Sequence, residues 1–251
     1  MTGIVHLVGA GPGAPDLLSV RAARLLGEAD IVFHDALVPA PILALAPRAR
    51  KVPVGKRSGR HSTAQTFINK QLLDAARRYR VVIRLKGGDP MLFGRAHEEI
   101  SFLERRGVRV EVVPGVTSAL AASAELGVSL TRRGAARSVA FVTPRTGAGE
   151  PRSTWIDTVL AADTSAIYMG AGEATSIAEG LLRAGKAPGT PVVVVENASL
   201  PDGRSVFGTL AELPALAAQL SGGPVLILLG EVLRDSAAAA ARATQRRSQA
   251  R

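Results

Sequence analysis

Short runs of aliphatic and β-branched residues alternate with stretches of helical periodicity along the first half of the chain. Ile4-Val5-His6-Leu7-Val8 reads as a strand that stops at Gly9-Ala10-Gly11-Pro12-Gly13. Leu17, Leu18, Val20, Ala23, Leu25 and Leu26 then recur at helical spacing as far as Glu28. Further strands are expected at 31–34, 51–54, 81–85 and 110–113, with helices at 63–76 and 95–106. The run Val110-Glu111-Val112-Val113 is ended by Pro114-Gly115. This strand–helix alternation predicts a mostly parallel sheet covered by helices.

The second half follows a different rhythm. Strands at 138–143, 165–168, 191–196, 205–208 and 225–229 are spaced by only one or two convincing helices, near 171–184 and 210–219. Pro201-Asp202-Gly203 lies between two of the strands and reads as a turn, so antiparallel pairing is expected there. The fold class is therefore α/β, with an N-terminal α/β domain over residues 1–116, a C-terminal mixed domain over 117–235 and a flexible basic tail over 236–251. No internal repeat of 20–50 residues is evident.

Composition narrows the chemistry. With no cysteine, the chain has no disulfide framework, thiolate metal site or cysteine nucleophile. The histidines, at 6, 34, 61 and 97, show no ligand spacing, and no metal is expected. The N-terminus lacks a basic segment followed by an apolar one, and no run approaches the ~20 apolar residues of a membrane span. A cytoplasmic protein without a membrane partner is expected. The formal charge is +10, and four of the arginines (242, 246, 247 and 251) fall in the acid-free tail. Arg48, Arg50, Lys51, Lys56, Arg57 and Arg60 form a second basic run, suited to a solvated loop or to a polyanionic ligand. Aromatic residues make up 4% of the chain, too little stacking material for a nucleic-acid reader, and no nucleic-acid module is present.

Three strand ends carry the candidate chemistry. Gly9-Ala10-Gly11-Pro12-Gly13-Ala14 fits the dinucleotide fingerprint in outline. Pro12 has no N–H to give a pyrophosphate, and Pro15 fixes the chain where helix donors should begin. A pocket wall for a ligand without phosphate fits better than a nicotinamide site or a bare turn. Lys86-Gly87-Gly88-Asp89-Pro90-Met91-Leu92-Phe93-Gly94-Arg95 follows a buried strand but has no Walker sequence. In Pro114-Gly115-Val116-Thr117-Ser118-Ala119, one hydroxyl is expected to cap the next helix and the other to be free for a ligand.

Together with Val54-Gly55-Lys56-Arg57 and Tyr168-Met169-Gly170, these segments resemble the tetrapyrrole methylase family, and within it the uroporphyrinogen-III C-methyltransferase group. The likeness runs from about Val8 to Val232. It implies a two-domain fold, an S-adenosyl-L-methionine cofactor in an interdomain cleft, a homodimer, and a polycarboxylated tetrapyrrole substrate. It also implies two methyl transfers, at C2 and C7 of uroporphyrinogen III, giving precorrin-2 through precorrin-1 for siroheme or cobalamin. By motif, Pro12, Gly87, Gly88, Asp89, Leu92, Thr117, Ser118, Met169 and Ala198 are the implied cofactor-binding residues. Asp35 is the implied acid beside the reacting carbons and Lys56 a proton donor. Arg57, Phe93, Arg133 and Tyr168 are the implied substrate contacts. Arg48, Arg50, Lys51, Arg60, Arg132 and Arg137 are further candidates for pairing with substrate carboxylates. With no fused synthase segment, a stand-alone transferase is expected.

The chain departs from the family pattern at Ala14, at His34 and Ala36 beside Asp35, at Arg132, and at Asn197-Ala198-Ser199. Two other enzymes share some of these features: a corrin-ring methylase such as one acting on precorrin-4, and a nicotinamide-dependent oxidoreductase.

Overall fold

The computed structural model describes residues 2–54, 65–146 and 153–236. The chain divides into two compact units, one ending at Ser118 and one beginning at Ala119.

The first unit is built on a five-stranded, wholly parallel sheet. Its strands are β1 (Ile4–Gly9), β2 (Ile31–His34), β3 (Arg50–Pro53), β4 (Val81–Lys86) and β5 (Val110–Val113), in the order β3-β2-β4-β1-β5. Alternation along each strand divides the side chains between two covers. On one face Val5, Leu7, Ile31, Phe33 and Val82 pack under α3 (Gln65–Ala76) and α4 (Ala96–Glu104). On the other, Val8, Val32, Ile83 and Leu85 pack under α1 (Val20–Glu28) and α2 (Ala40–Ala44). With both faces covered, Val82 to Lys86 are all buried, including two cations.

The chain leaves β1 towards β2 on one side, and leaves β4 towards β5 on the other. Neighbouring β1 and β4 therefore form a switch point, where open α/β sheets leave a crevice at the carboxyl ends of their strands. Gly9–Gly13 and Gly87–Asp89 both lie at that crevice.

The second unit holds a mixed sheet of β6 (Val139–Val142), β7 (Thr164–Tyr168), β8 (Pro191–Glu196), β9 (Arg204–Thr209) and β10 (Val225–Gly230), ordered β6-β7-β10-β8-β9. Only β6 and β7 run parallel; β10 is antiparallel to both its neighbours, and β8 and β9 form the hairpin expected across Pro201-Asp202-Gly203. Helices α6 (Trp155–Ala161), α7 (Ala174–Arg183) and α8 (Leu213–Ala217) cover one face. Ala119 and Ala122 of α5 (Ser118–Leu126) pack on the other.

Two differences from the sequence reading have local causes. The helix expected from Leu17 begins later, because Leu18 is extended and the Ser19 hydroxyl caps α1 by accepting the Ala22 N–H at 3.2 Å. Pro15–Leu17 form a separate 3-10 turn. Helices α2 and α6 were not expected, since five and seven residues are too few to show a helical period.

One buried carboxylate fixes the entry to β10. Glu196 ends β8 with no exposed surface and accepts the Ser221 N–H at 3.0 Å, the Ser221 hydroxyl at 3.0 Å and the Gly223 N–H at 2.7 Å. Burial alone would raise its pKa, but the amides of Gly223 and Ser221 outweigh it and hold the value below the ordinary 4.5. Depression on folding means that the stabilisation is complete above the unfolded value and is lost as pH falls through the folded one. Glu196→Gln is expected to cost about 1–3 kcal/mol at neutral pH. Urea titrations should show the gap between variant and parent closing as pH drops below 4.5; a gap constant down to acid pH would refute this role.

Candidate active site

The carboxyl ends of β1, β4 and β5 are held closer than side chains allow. Gly11 and Gly88 form an antiparallel bridge, Gly11 N–H donating to Gly88 at 3.2 Å and Gly88 N–H donating back at 2.7 Å. A Cβ on Gly9 would lie 2.6 Å from Gly115 Cα and 2.7 Å from the Gly88 carbonyl oxygen. Gly11 and Gly88 both take φ of +68°, a conformation glycine adopts without strain. Asp89 completes the lock: one carboxylate oxygen accepts the Gly115 N–H at 2.9 Å and the other the Met91 N–H at 2.8 Å. The three loops are one assembly, and its amides face each other.

That geometry decides against a pyrophosphate site. Ala10 N–H is spent on Lys86, Gly11 and Gly88 on each other, and Pro12 has no N–H. What remains is a backbone-lined wall that a ligand can approach closely.

Pro12, Gly87, Gly88, Asp89 and Leu92 all belong to this assembly, partly exposed. Thr117 is buried immediately before α5, and Ser118 is the first residue of that helix. Phe93 is 40% exposed and, like Arg95, has a left-handed backbone. The pair flanks Gly94, where a Cβ would lie 2.5 Å from the Pro90 carbonyl oxygen and 3.1 Å from Lys86 Cε. The Pro90–Arg95 loop thus folds tightly over Lys86. Such strained residues gather at ligand sites.

Asp35 follows β2 on the face that carries Ile31 and Phe33, which brings it level with Arg84 and Lys86 of β4. Arg84 NH2 donates to Asp35 Oδ1 at 2.6 Å, and Arg84 Nε donates to Glu99 Oε1 at 3.1 Å. Lys86 Nζ lies 3.2 and 3.1 Å from the two Glu99 oxygens, and Gln65 Nε2 donates to Glu99 at 2.9 Å. Arg84, Lys86 and Glu99 are buried, whereas the Asp35 side chain is 29% exposed. The four ions sum to zero charge. Burial lowers the pKa of Lys86, Arg84 adding to the effect against Glu99 and Asp35. For Arg84 burial also works against the charge, but Asp35 and Glu99 overcome it and raise the value.

Asp35 is among the residues expected from the sequence, whereas its partners Arg84, Lys86 and Glu99 are not. A signal existed: cations at 84 and 86 share one face of a strand buried on both sides, so each needs an internal anion. Glu98-Glu99 on the next helix supplies one.

In the second unit, β7 and β8 point the same way on either side of β10, so Met169 and Ala198 follow strand ends at one edge of the sheet. Met169, Asn197 and Ser199 all have positive φ. The Asn197–Ser199 loop is pinned by Asn197 Nδ2 donating to Asp202 at 2.8 Å and by Glu125 accepting the Ser199 N–H at 2.8 Å, leaving Ala198 buried between two strained residues. Tyr168 packs edge-on against Phe141 with ring centroids 6.0 Å apart.

Several basic candidates sit elsewhere. Arg50 opens β3, so Arg50, with Arg48 just before it, lies at the amino edge of the parallel sheet, away from Asp35; Arg48 donates to the Gly27 carbonyl. Lys51 follows in the same half of β3. Arg137 precedes β6, at the edge opposite Met169, and its N–H bonds Asp163. Arg132 pairs with Asp235 at 3.0 Å, while Arg133 is exposed. Lys56, Arg57 and Arg60 lie outside the described residues. Among the described residues no three His, Asp or Glu side chains form a cluster able to hold a metal, and no helix is long and apolar enough to cross a membrane.

A parallel five-stranded unit with a glycine-locked switch point, followed by a mixed five-stranded unit, is the two-part architecture of one class of methyltransferases. The chain belongs to the tetrapyrrole (corrin/porphyrin) methylases, whose family profile matches residues 5–214. A uroporphyrinogen-III C-methyltransferase from Pseudomonas aeruginosa is 44% identical over 236 residues, 94% of this chain and 96% of the relative. A siroheme synthase from Pseudomonas putida is 45% identical over 94% of the chain, which spans about half (52%) of that longer relative. The crystal structure of a uroporphyrin-III C-methyl transferase from Thermus thermophilus, complexed with S-adenyl homocysteine, superposes with a TM-score of 0.82 at 45% identity over 92% of this chain and 99% of that one. The cobalt precorrin-4 methyltransferase structure superposes at 0.80 with 30% identity, covering 91% and 95%.

The interlock predicts a specific sensitivity. Gly115→Ala places a methyl against the Gly88 carbonyl and 2.8 Å from Gly9 Cα, so all three loops must shift. Isothermal titration should show at least a tenfold loss of S-adenosylhomocysteine affinity, about 1.4 kcal/mol. Gly27→Ala, at a helical glycine with nothing within 4 Å, should leave that affinity near wild type. Equal affinities in the two variants would remove the glycine lock from the binding argument.

Proposed function

We propose that the chain is an S-adenosylmethionine-dependent uroporphyrinogen-III C-methyltransferase that transfers two methyl groups, at C2 and C7, and forms precorrin-2 by way of precorrin-1. The observation that carries this reading is the 44% identity to the Pseudomonas aeruginosa C-methyltransferase across nearly the full length of both chains. The 30% identity to the cobalt precorrin-4 methyltransferase supports the same fold with a different substrate.

Bound at the glycine wall, the cofactor would supply an electrophilic S-methyl group. The residues assigned to hold it are Pro12, Gly87, Gly88, Asp89, Leu92, Thr117, Ser118, Met169 and Ala198. Asp89 acts indirectly, since its carboxylate is committed to the loop amides. The reduced macrocycle is an electron-rich, enamine-like nucleophile and needs no base to begin. Its reacting carbon has to be held about 3–3.5 Å from the methyl, an alignment worth roughly 7–11 kcal/mol of barrier.

Methylation leaves one positive charge on the macrocycle. Breaking a neighbouring meso C–H bond returns its electron pair to the ring, and the proton passes to the Asp35 carboxylate. Phe93 and Tyr168 are the apolar contacts of this assignment, Arg57 and Arg133 grip substrate carboxylates, and Lys56 serves as a proton donor. Working as a cytoplasmic homodimer is part of the same reading, supported by the family resemblance.

The test is anaerobic incubation with S-adenosylmethionine and uroporphyrinogen III, counting added methyls by mass. Two methyls are expected; none on this substrate, with transfer to a later corrin intermediate, would replace the assignment. Asp35→Asn should lower kcat about 10²–10⁴-fold if the carboxylate takes the proton. Charge reversal at Arg57 and Arg133 should raise the KM for the macrocycle at low salt, and an unchanged KM would remove both from the substrate contacts.

A further inference from the structure

We infer that Arg84 and Glu99 are positioning residues for the base: the charge-balanced set of Lys86, Glu99, Arg84 and Asp35 exists to aim one carboxylate of the first unit outward. This rests on the proposed role of Asp35 and extends it to three residues that touch no reacting atom.

Removing ions from water carries a penalty of several kcal/mol each, and a sheet face otherwise built from Val5, Leu7, Phe33 and Val82 would be served as well by aliphatic side chains at 84, 86 and 99. Stability therefore does not account for three buried charges. Their connectivity does. Glu99 is fully buried and collects donors from Gln65, Arg84 and Lys86, which fixes it from α3 and from β4. Held on its Nε edge by Glu99, and by NH1 donating to the Leu85 carbonyl at 3.2 Å, the rigid guanidinium has one direction left for NH2. That direction is Asp35 Oδ1, at 2.6 Å.

Among the described residues, Asp35 Oδ2 has no hydrogen-bond partner, and the side chain is the one member of the set with substantial exposure. One oxygen is anchored and the other is offered. Every bond that anchors Arg84 comes from inside the first unit, so the aim of the carboxylate does not depend on the residues flanking it in sequence.

Two conservative variants test this on the full chain. Glu99→Gln keeps the shape but loses the charge that orients Arg84. Arg84→Lys keeps the charge but cannot serve Glu99 and Asp35 with a planar fork. Turnover is measured with ordinary uroporphyrinogen III and with substrate deuterated at the meso carbons, alongside both KM values, the Tm and Asp35→Asn as reference. A misaimed base should lower kcat about ten- to a hundredfold, the range a displacement near 1 Å produces. Both KM values should stay within about twofold, the pattern of a contact made only on the way to the transition state. The deuterium effect should grow, because proton removal has become slower. Either variant that folds is sufficient.

Wild-type kcat and isotope effect in the folded variants, beside an impaired Asp35→Asn, would overturn the positioning role and leave the base assignment standing. A fall in kcat without a larger isotope effect would assign the set to stability alone and overturn it as well. Wild-type turnover in Asp35→Asn would remove the base and this inference together.

Discussion

The approach of three backbones at the carboxyl ends of β1, β4 and β5 is the constraint on which the first unit depends. Gly9 and Gly115 meet each other and the Gly88 carbonyl at distances that leave no room for a Cβ, and the Asp89 carboxylate closes the contact by accepting an N–H from the β5 loop and one from its own. Amides that a phosphate-binding loop would turn outward are here turned inward. The same contact thus builds a wall for close approach and excludes the ligand class that the glycine spacing first suggests. Fold and specificity share a single cause, the lack of side chains at the switch point.

Much of this was legible in the sequence because periodicity reports burial. The runs Ile4–Val8 and Val192–Val195 mark strands, and both lie buried almost throughout, as largely apolar runs should. Pro12, with no N–H to donate, speaks against a pyrophosphate in the sequence alone. The residues left out were those whose meaning is three-dimensional. Glu99 looks like the second acid of an exposed helical turn, and only the packing of α3 and α4 over β4 makes it the hub of a buried cluster. The basic run at Arg48–Arg60 read as one patch, yet strand direction places Arg48 and Arg50 at the amino edge of the sheet. Position along a strand, not proximity in sequence, decides which cations can serve a site at its far end.

Backbone strain marks the same places from another direction. Phe93, Arg95, Met169, Asn197 and Ser199 all have positive φ without being glycine. Each lies in the loop after β4, β7 or β8, at or within two positions of a residue implied by the family resemblance. In the second unit the strain is held by definite bonds, from Glu125 and to Asp202. A loop that only connected strands would relax into β or α conformations; the Asn197–Ser199 loop is kept out of them by Glu125 and Asp202, and strain of this kind gathers at ligand sites.

The departures from the family pattern acquire a physical meaning in this light. His34 and Ala36 replace the residues that usually flank Asp35, and His34 interacts through Nδ1 with the Asp35 carbonyl at 3.2 Å, not with its carboxylate. The carboxylate is held from β4, by a guanidinium whose own restraints come from β4 and α4. Exchange of the neighbours therefore alters what surrounds the carboxylate without removing what aims it. Arg132 shows the complementary case: its guanidinium is taken by Asp235 in the second unit, whereas Arg133 beside it is exposed. Variation at 34 and 36 falls on groups beside Asp35 in the first unit, and the interior bonds that hold its carboxylate are untouched by either.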